Sequence, residues 1–296
     1  MKTRRVRLNL CAFAAATLVA CGTKAPVPSA SAPLAGPFID VPTIRFEYAA
    51  EILDPHLVRN GSPSPAYDSE VPYPGGILVY TTNMPRSGKG FVELEGLVGS
   101  AYVYLVGSLA AENESSPSRP FLEYVGNDPG ARWPLQVVVE DFPVSESSLP
   151  PRRKLGISGA RFEGRTLTGW TKYRVDIGIA KGLKFKFHSG DTSHMASPRP
   201  KLWRAAFHLQ ELGDTHLEIG HRTNNAPWPR DARGAVWING HYVGRWRAGE
   251  PPSLPVPARF LKVGKNIAYV LDLAADRLPF ELAARAHQDV SGNPSP

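Results

Sequence analysis

Residues 233–273 constrain the fold more than any other part of the chain. The run RGAVWINGHYVGRWRAGEPPSLPVPARFLKVGKNIAYVLDL begins with a β-branched, aromatic strand that ends in Asn239-Gly240, the dipeptide typical of a two-residue hairpin turn. A basic-aromatic strand, a proline-bounded strand, a Lys-Val-Gly-Lys-Asn turn and a final apolar strand follow. Short strands separated by turn signals predict antiparallel β-structure.

The same pattern continues through the chain from about residue 38. Apolar or alternating runs typical of strands occur at 76–82, 91–97, 101–106 and 135–140. The 29 prolines and 27 glycines favour many short strands over long helices. We expect a long polar loop over 107–134 and one short helix over 274–288, interrupted by Pro279. The pattern predicts an all-β fold of β-sandwiches.

The N-terminus resembles the signal peptide of a bacterial lipoprotein. Four basic residues precede an apolar segment, residues 8–20, that is too short to span a bilayer. The sequence LVACG (18–22) resembles a lipobox, and this resemblance implies cleavage before Cys21 and acylation of that residue. An ordinary signal peptide with a chance cysteine is the alternative. By the sorting rule of the resembled lipoproteins, glycine rather than aspartate after Cys21 implies the outer membrane, so we expect an anchor in the lipid bilayer of the cell envelope.

Removal of the signal segment lowers the net charge and the cysteine count, and so changes what they imply about partners, disulfides and metal sites. Four of the 34 basic residues lie in this segment, which leaves 30 against 27 acidic residues and a net charge of +3. The basic balance is therefore no argument for a nucleic-acid partner. Cys11 is also removed, so Cys21 is the one cysteine of the expected mature chain. We expect no disulfide, no metal site built on cysteine and no cofactor.

Five segments in order resemble the C-terminal β-domains of the family 35 β-galactosidases. They are GGILVYTTNMP followed by GFVELEGLVGSAYVYLVGSL, then LQVVVEDF, ARFEGRTLTGWTKYRVDI, KLWRAAFHLQELGDTHLEI and the run at 233–273. The matches cover roughly residues 70–275. The resemblance implies two packed jelly-roll β-sandwich domains of the galactose-binding-like type.

Signal segment, linker composition and resemblance together predict the domain organisation. Residues 22–37 are rich in proline, alanine and serine, which indicates a disordered tether. The expected units are a signal peptide (1–20), the lipidated cysteine and tether (21–37), a first β-domain (38–190), a second β-domain (191–288) and a frayed tail (289–296).

The catalytic part of the resembled enzymes has no counterpart in this sequence. Those enzymes hydrolyse β-galactosides with two glutamates on a TIM barrel of about 250 residues, which precedes the β-domains. About 50 residues separate Cys21 from the first matching run, so we expect no TIM barrel and neither catalytic glutamate. The loops also depart from the family, with Leu105-Val106-Gly107 for Val-Asn-Gly and a longer connection at 221–232. Diverged loops on a retained scaffold argue against assuming the family's ligand.

Other catalytic or metal sites find little support. Two pairs of glutamates could in principle form a catalytic pair, but solvated positions explain them better. Glu93 and Glu95 are expected on one face of a strand, and Glu112 and Glu114 in a loop. Four residues of the second half lack the spacing of a zinc site, namely His208, Asp214, His216 and His221. The sequence also contains no G-x-S-x-G motif and no P-loop.

In the absence of a catalytic barrel, the resemblance to jelly-roll β-domains favours carbohydrate binding as the activity. Sugar sites combine an aromatic ring, against which the C–H face of the sugar stacks, with planar polar groups that bind hydroxyls. The candidates are Trp228 between two prolines, Trp246 between two arginines, and the polar residues Asn224, Asn225, Arg230, Asp231 and Asn239. Packing of the loop tryptophan, and turn chemistry at Asn239, are the alternatives. Trp170, Trp203 and Trp237 are expected in the core.

The sequence thus predicts a non-catalytic envelope lipoprotein that binds carbohydrate or a protein partner. Two alternatives stay open at this point. One is a β-galactosidase-like hydrolase, acting alone or with a catalytic barrel on a separate polypeptide. The other is a purely structural interaction protein.

Overall fold

The computed structural model describes residues 37–54, 60–62, 76–84, 88–114, 121–124, 133–142, 154–177, 180, 182–187, 200–221, 233–247, 253–273 and 280–285. Regular structure in these ranges is strand, apart from a single 3-10 turn at Ala258–Phe260. Within the same ranges, no helix has the length and apolar character needed to cross a membrane.

Twenty strands make up the described part of the chain. In chain order they are β1 (Ile44–Arg45), β2 (Tyr48–Glu51), β3 (Asn60–Ser62), β4 (Gly76–Met84), β5 (Gly88–Glu95), β6 (Ser100–Leu105), β7 (Ser108–Glu114), β8 (Phe121–Tyr124), β9 (Trp133–Glu140), β10 (Gly159–Phe162), β11 (Arg165–Thr166), β12 (Trp170–Asp176), β13 (Lys186–Phe187), β14 (Lys201–Leu209), β15 (Thr215–His221), β16 (Arg233–Ile238), β17 (His241–Arg247), β18 (Ser253–Val256), β19 (Gly264–Asp272) and β20 (Phe280–Arg285).

These strands form four sheets that stack as two sandwiches. The first sandwich pairs the six-stranded sheet β3-β12-β4-β9-β6-β7 with the four-stranded sheet β11-β10-β5-β8. The second sandwich pairs the sheet β13-β2-β14-β19-β16-β17 with the sheet β1-β20-β15-β18. Every pair of these strands is antiparallel, so the described residues contain no parallel barrel. The prediction of an all-β sandwich fold without a TIM barrel is confirmed.

A third hydrophobic layer joins the two sandwiches through their six-stranded sheets. The packing of strand β4 explains why its residues 77–80 are all apolar. Leu78 and Tyr80 face the core of the first sandwich, whereas Ile77 and Val79 face the layer between the sandwiches. A strand covered on both faces has no solvent side and therefore loses the usual alternation of polar and apolar residues. The hydroxyl of Tyr104 crosses this layer and donates to the carbonyl oxygen of Leu273 at 2.6 Å.

The two sandwiches repeat one topology. The order β4-β9-β6-β7 in the first matches β14-β19-β16-β17 in the second, and β10-β5-β8 matches β20-β15-β18. The positions of β11 and β12 are filled in the second sandwich by β1 and β2, which come from the N-terminal side of the chain. The predicted domain bounds stay a prediction, because strand pairing does not show which parts fold independently.

The repeat includes a pair of equivalent hairpins with equivalent turns. Val106-Gly107 joins β6 to β7 with φ angles of 55° and 83°, and Asn239-Gly240 joins β16 to β17 with φ angles of 51° and 89°. Both residues of each turn are left-handed, as a two-residue turn of the primed type requires. Asparagine tolerates this conformation, whereas a β-branched valine is strained in it.

Two predicted elements differ from the structure. The expected loop at 107–134 contains β7, β8 and the start of β9, and the expected helix at 274–288 contains β20. Strands β7 and β8 lie at sheet edges, where polar side chains remain solvated and strand signals are weak. Strand β20 lies between β1 and β15, and this pairing outweighs the helical preference of Leu282, Ala283 and Ala284.

Candidate functional site

Most of the predicted sugar-binding residues lie outside the described part of the chain. This applies to five residues of one connection, namely Asn224, Asn225, Trp228, Arg230 and Asp231. It applies equally to Cys21, the predicted lipidation site. These assignments therefore stay predictions.

The two predicted residues that the structure describes, Trp246 and Asn239, are both part of the packed fold. Trp246 was predicted as an aromatic residue available to a sugar, but its side chain is 6 % exposed and packs in the core of the second sandwich, so its ring does not face solvent. Its neighbours in β17 alternate faces with it, so the two arginines are the residues that face away from that core. The amide of Asn239 donates to the carbonyl oxygen of Phe260 at 2.8 Å and to Oδ1 of Asn266 at 2.7 Å, and its Oδ1 accepts from the backbone N–H of Ile267 at 3.0 Å.

The remaining sequence interpretations largely agree with the structure. Trp170, Trp203 and Trp237 are buried, as expected. Glu95 is partly exposed and pairs with Arg161 at 2.7 Å. In the ranges that the structure describes, no three metal-type side chains lie together, and the expected absence of a metal site stays a prediction. Glu112 and Glu114 lie on strand β7 rather than in a loop.

An aromatic row that the sequence analysis missed crosses the second six-stranded sheet. Strand pairing places one residue of each strand directly opposite the next, and the row reads Phe187, Tyr48, Arg204, Tyr269, Trp237 and Tyr242. Residues in such register project from one face of a sheet. This face is the one that packs against the first sandwich, since Trp237 and Tyr242 are buried in the layer between the sandwiches.

The other end of the row is open to solvent. Tyr48 is 41 % exposed and Phe187 is 59 % exposed, and their ring centroids are 5.5 Å apart in an edge-to-face arrangement. The guanidinium carbon of Arg204 lies 5.6 Å from the ring centroid of Tyr48 and 4.5 Å from that of Phe185. We call Tyr48, Phe185, Phe187 and Arg204 the aromatic platform. It presents two exposed rings beside a planar cation held by aromatic contacts.

The sequence contains a weak signal for this platform. The alternation Lys184-Phe185-Lys186-Phe187 indicates a strand with one aromatic face, but it does not reveal which strand it meets. Tyr48 is distant in sequence, and only the pairing of β2 with β13 brings it opposite Phe187.

A polar cavity lies at the junction of the two sandwiches. Its volume is about 130 Å³, and it is lined from the first sandwich by Ser100, Tyr102, Glu140 and Phe142, and from the second by Arg233, Gly234, Arg245, Trp246, Arg247 and Leu273. We call it the junction cavity. A space of this size holds several water molecules or a small chemical group.

Glu140 is the one acidic residue among those that line the junction cavity. Its Oε1 accepts from the hydroxyl of Tyr102 at 3.1 Å, and its Oε2 accepts from the backbone N–H of Phe142. Burial raises the pKa of Glu140 to about 7, because desolvation outweighs the hydrogen bonds that favour the carboxylate, and nearby Asp141 adds to the rise. The carboxyl group therefore changes its charge near neutral pH.

Comparisons with known proteins add little to these observations. No family model matches the chain, and no curated protein matches it. The lectin from Pleurotus ostreatus in complex with GalNAc has a TM-score of 0.24 and 11 % identity, over 84 % of this chain and 81 % of that chain. Its apo form has a TM-score of 0.21 and 11 % identity, over 84 % and 82 % of the two chains. An anti-sigma factor domain-containing protein has a TM-score of 0.23 and 10 % identity, over 83 % and 87 %. Similarities this low carry no conclusion about function, and the resemblance to the β-galactosidase domains stays a prediction.

Proposed function

We propose that this protein binds carbohydrate, without catalysis, on the aromatic platform. The observation that carries the proposal is the exposed pair Tyr48 and Phe187 beside the guanidinium of Arg204. Large aromatic side chains usually bury most of their surface. The adjacent rings of Tyr48 and Phe187, with 41 % and 59 % of their surface exposed, therefore favour a binding surface.

The chemistry of the platform suits a sugar. A pyranose ring has an apolar C–H face that stacks on an aromatic ring, and hydroxyls at its edge that accept from planar donors. The contacts of Arg204 with Tyr48 and Phe185 orient its guanidinium, so little side-chain freedom is lost when a hydroxyl binds. The platform is built on paired strands, which hold the rings at a fixed spacing.

Removal of either exposed ring is expected to weaken sugar binding about tenfold. One aromatic contact contributes about 1 to 1.5 kcal/mol, which corresponds to about that factor in affinity. The full-length protein in detergent would be screened on a glycan array. The strongest ligand would then be titrated by calorimetry into the wild type, Tyr48→Ala and Phe187→Ala.

Phe91→Ala is the matched control, because Phe91 is also an exposed phenylalanine on a strand, at 47 %, but belongs to the first sandwich. It should bind as the wild type does. An array without any response, or equal loss of affinity in all three variants, would exclude the aromatic platform as a sugar site. In that event, a protein partner becomes the better explanation of the exposed rings.

The lipoprotein interpretation is the second part of the proposal. Acylation of Cys21, with the following tether, would hold the sandwiches at the surface of the outer membrane. Cys21→Ser is expected to move the protein from the membrane fraction to the soluble fraction and to abolish labelling by an alkyne-bearing fatty acid. A lysine-to-serine control in the tether, Lys24→Ser, should stay with the membrane. Unchanged membrane association and labelling of Cys21→Ser would rule out this anchor.

Nothing among the described residues favours the glycosidase alternative. Hydrolysis of a glycoside by the usual route requires two carboxyl groups across the scissile bond. The junction cavity is lined by a single carboxyl group, that of Glu140, and the aromatic platform contains none.

A further inference from the structure

We propose that the junction cavity is a second binding site, for the oxyanion group of a small acidic ligand, and that Arg233, Arg245 and Arg247 hold this group. This site is separate from the aromatic platform and goes beyond the proposed carbohydrate binding there. The oxyanion is the carboxylate of an acidic sugar or a phosphate group, since the guanidinium group recognises both through paired N–H donors.

The three arginines converge on one face of one hairpin. Arg233 on β16 is directly opposite Arg247 on β17, and Arg245 lies two residues before Arg247 on the same face. Arg233 is buried, with 9 % exposure, whereas Arg245 is exposed. Three guanidinium groups thus border one cavity, and clustered guanidinium N–H donors are the groups that bind carboxylate and phosphate oxygens.

The topological repeat shows that the fold itself does not require this charge. The register of the equivalent hairpin in the first sandwich places Ser100 at the position of Arg233, and Glu112 and Glu114 at those of Arg245 and Arg247. The same hairpin forms with serine and two glutamates. The hairpin topology therefore does not require the three arginines, which occur only in the hairpin of the second sandwich.

The opposite wall of the cavity makes oxyanion binding dependent on pH. The titratable or charged residues next to Glu140 or lining its cavity are Tyr102, Asp141 and the three arginines. Strand β7, which is two strands away from β9 in the same sheet, carries Glu112 and Glu114. Below about pH 7 the carboxyl group of Glu140 is neutral and can donate a hydrogen bond to an oxyanion. Above that pH it is negative and repels the oxyanion, so binding is expected to weaken as the pH rises.

The full-length protein in detergent would be titrated by calorimetry at constant ionic strength with glucuronate, inorganic phosphate and neutral glucose. We expect the binding of glucuronate, of phosphate or of both to depend on Arg245, and any binding of glucose to be independent of it. Glucuronate stays ionised between pH 6 and pH 8, so its affinity is expected to fall about tenfold over this range, following ionisation of Glu140. Glu140→Gln should bind with little change across the same range.

Arg245→Gln is expected to weaken oxyanion binding about tenfold, because the exposed side chain can be replaced without disturbing the core. Arg165→Gln removes one charge from an exposed site on β11 and should bind as the wild type does. Inorganic phosphate has no apolar C–H face that could stack on a ring, so its binding separates this site from the aromatic platform.

Equal affinities of wild type and Arg245→Gln, or no binding of either oxyanion, would overturn the proposal. Either result would indicate that the arginines serve only the contact between the two sandwiches. A wild-type affinity for glucuronate that does not change with pH would refute the role of Glu140.

Discussion

Replacement of Trp237 by alanine is expected to lower the free energy of unfolding by about 4 kcal/mol, which is in the range for a buried tryptophan. The side chain is fully buried in the layer between the two sandwiches. The ring of Phe142 lies 5.4 Å away and that of Tyr242 lies 5.5 Å away, both edge-to-face. Since these rings come from both sandwiches, a cavity at Trp237 removes contacts that hold the sandwiches together. Equilibrium unfolding in guanidinium chloride measures the loss.

Trp237→Phe is the informative control for this variant. No described residue provides a hydrogen-bond partner for the indole N–H of Trp237, so phenylalanine removes a buried polar group without breaking a bond. We expect Trp237→Phe to lower the free energy of unfolding clearly less than Trp237→Ala does. A loss below about 1 kcal/mol in Trp237→Ala would mean that the layer between the sandwiches contributes little to stability.

Replacement of Glu140 by glutamine is expected to remove a pH dependence of stability of about 2 to 3 kcal/mol between pH 5 and pH 8. Burial raises the pKa of Glu140 from 4.5 to about 7 in the native protein. Between these two values the native state binds more protons than the unfolded state, so the wild type loses stability as the pH rises through this range and regains none above it. Glutamine is neutral throughout and mimics the protonated form.

The free energy of unfolding of both proteins would be measured at pH 5, 6, 7 and 8. The difference between wild type and variant at each pH gives the contribution of Glu140. Wild type and Glu140→Gln should differ least in the acidic samples, and the variant should gain relative to the wild type as the pH rises. Glu93→Gln is a control, since Glu93 is a partly exposed carboxylate on β5. Parallel pH profiles of wild type and Glu140→Gln would show that Glu140 does not ionise near neutral pH.

The sequence identified the strands whose apolar pattern is strong and local. The run at 76–82 lies within β4, and the Asn239-Gly240 turn joins β16 to β17, as predicted. The errors at β7, β8 and β20 occur where the local pattern is weak or opposes the pairing. Edge strands keep polar residues, and the alanine-rich segment of β20 becomes a strand only because two neighbouring strands bond to it.

For the candidate sites, the sequence did not show which face of the sheet each side chain occupies. Trp246 is flanked by arginines, which suggests exposure, yet alternation along the strand turns the tryptophan into the core and the arginines away from it. The direction of the alternation depends on which face of the sheet is covered, and that is not visible in β17 alone. The same ambiguity hides the function of the arginines, which line a cavity only because the first sandwich packs opposite them.

By itself, the sequence determined the all-β class of this protein, the positions of its strongest strands and the turn at Asn239-Gly240. These features depend on the local periodicity of apolar residues and on the conformations that asparagine and glycine allow. The tertiary structure alone decided that two sandwiches of one topology meet through their larger sheets, and that Tyr48 and Phe187 lie side by side. It also decided that Glu140 faces a cavity lined by three arginines from the other half of the chain. Each of these contacts joins residues that are distant in sequence, and long-range strand pairing and sheet packing set them rather than any local pattern.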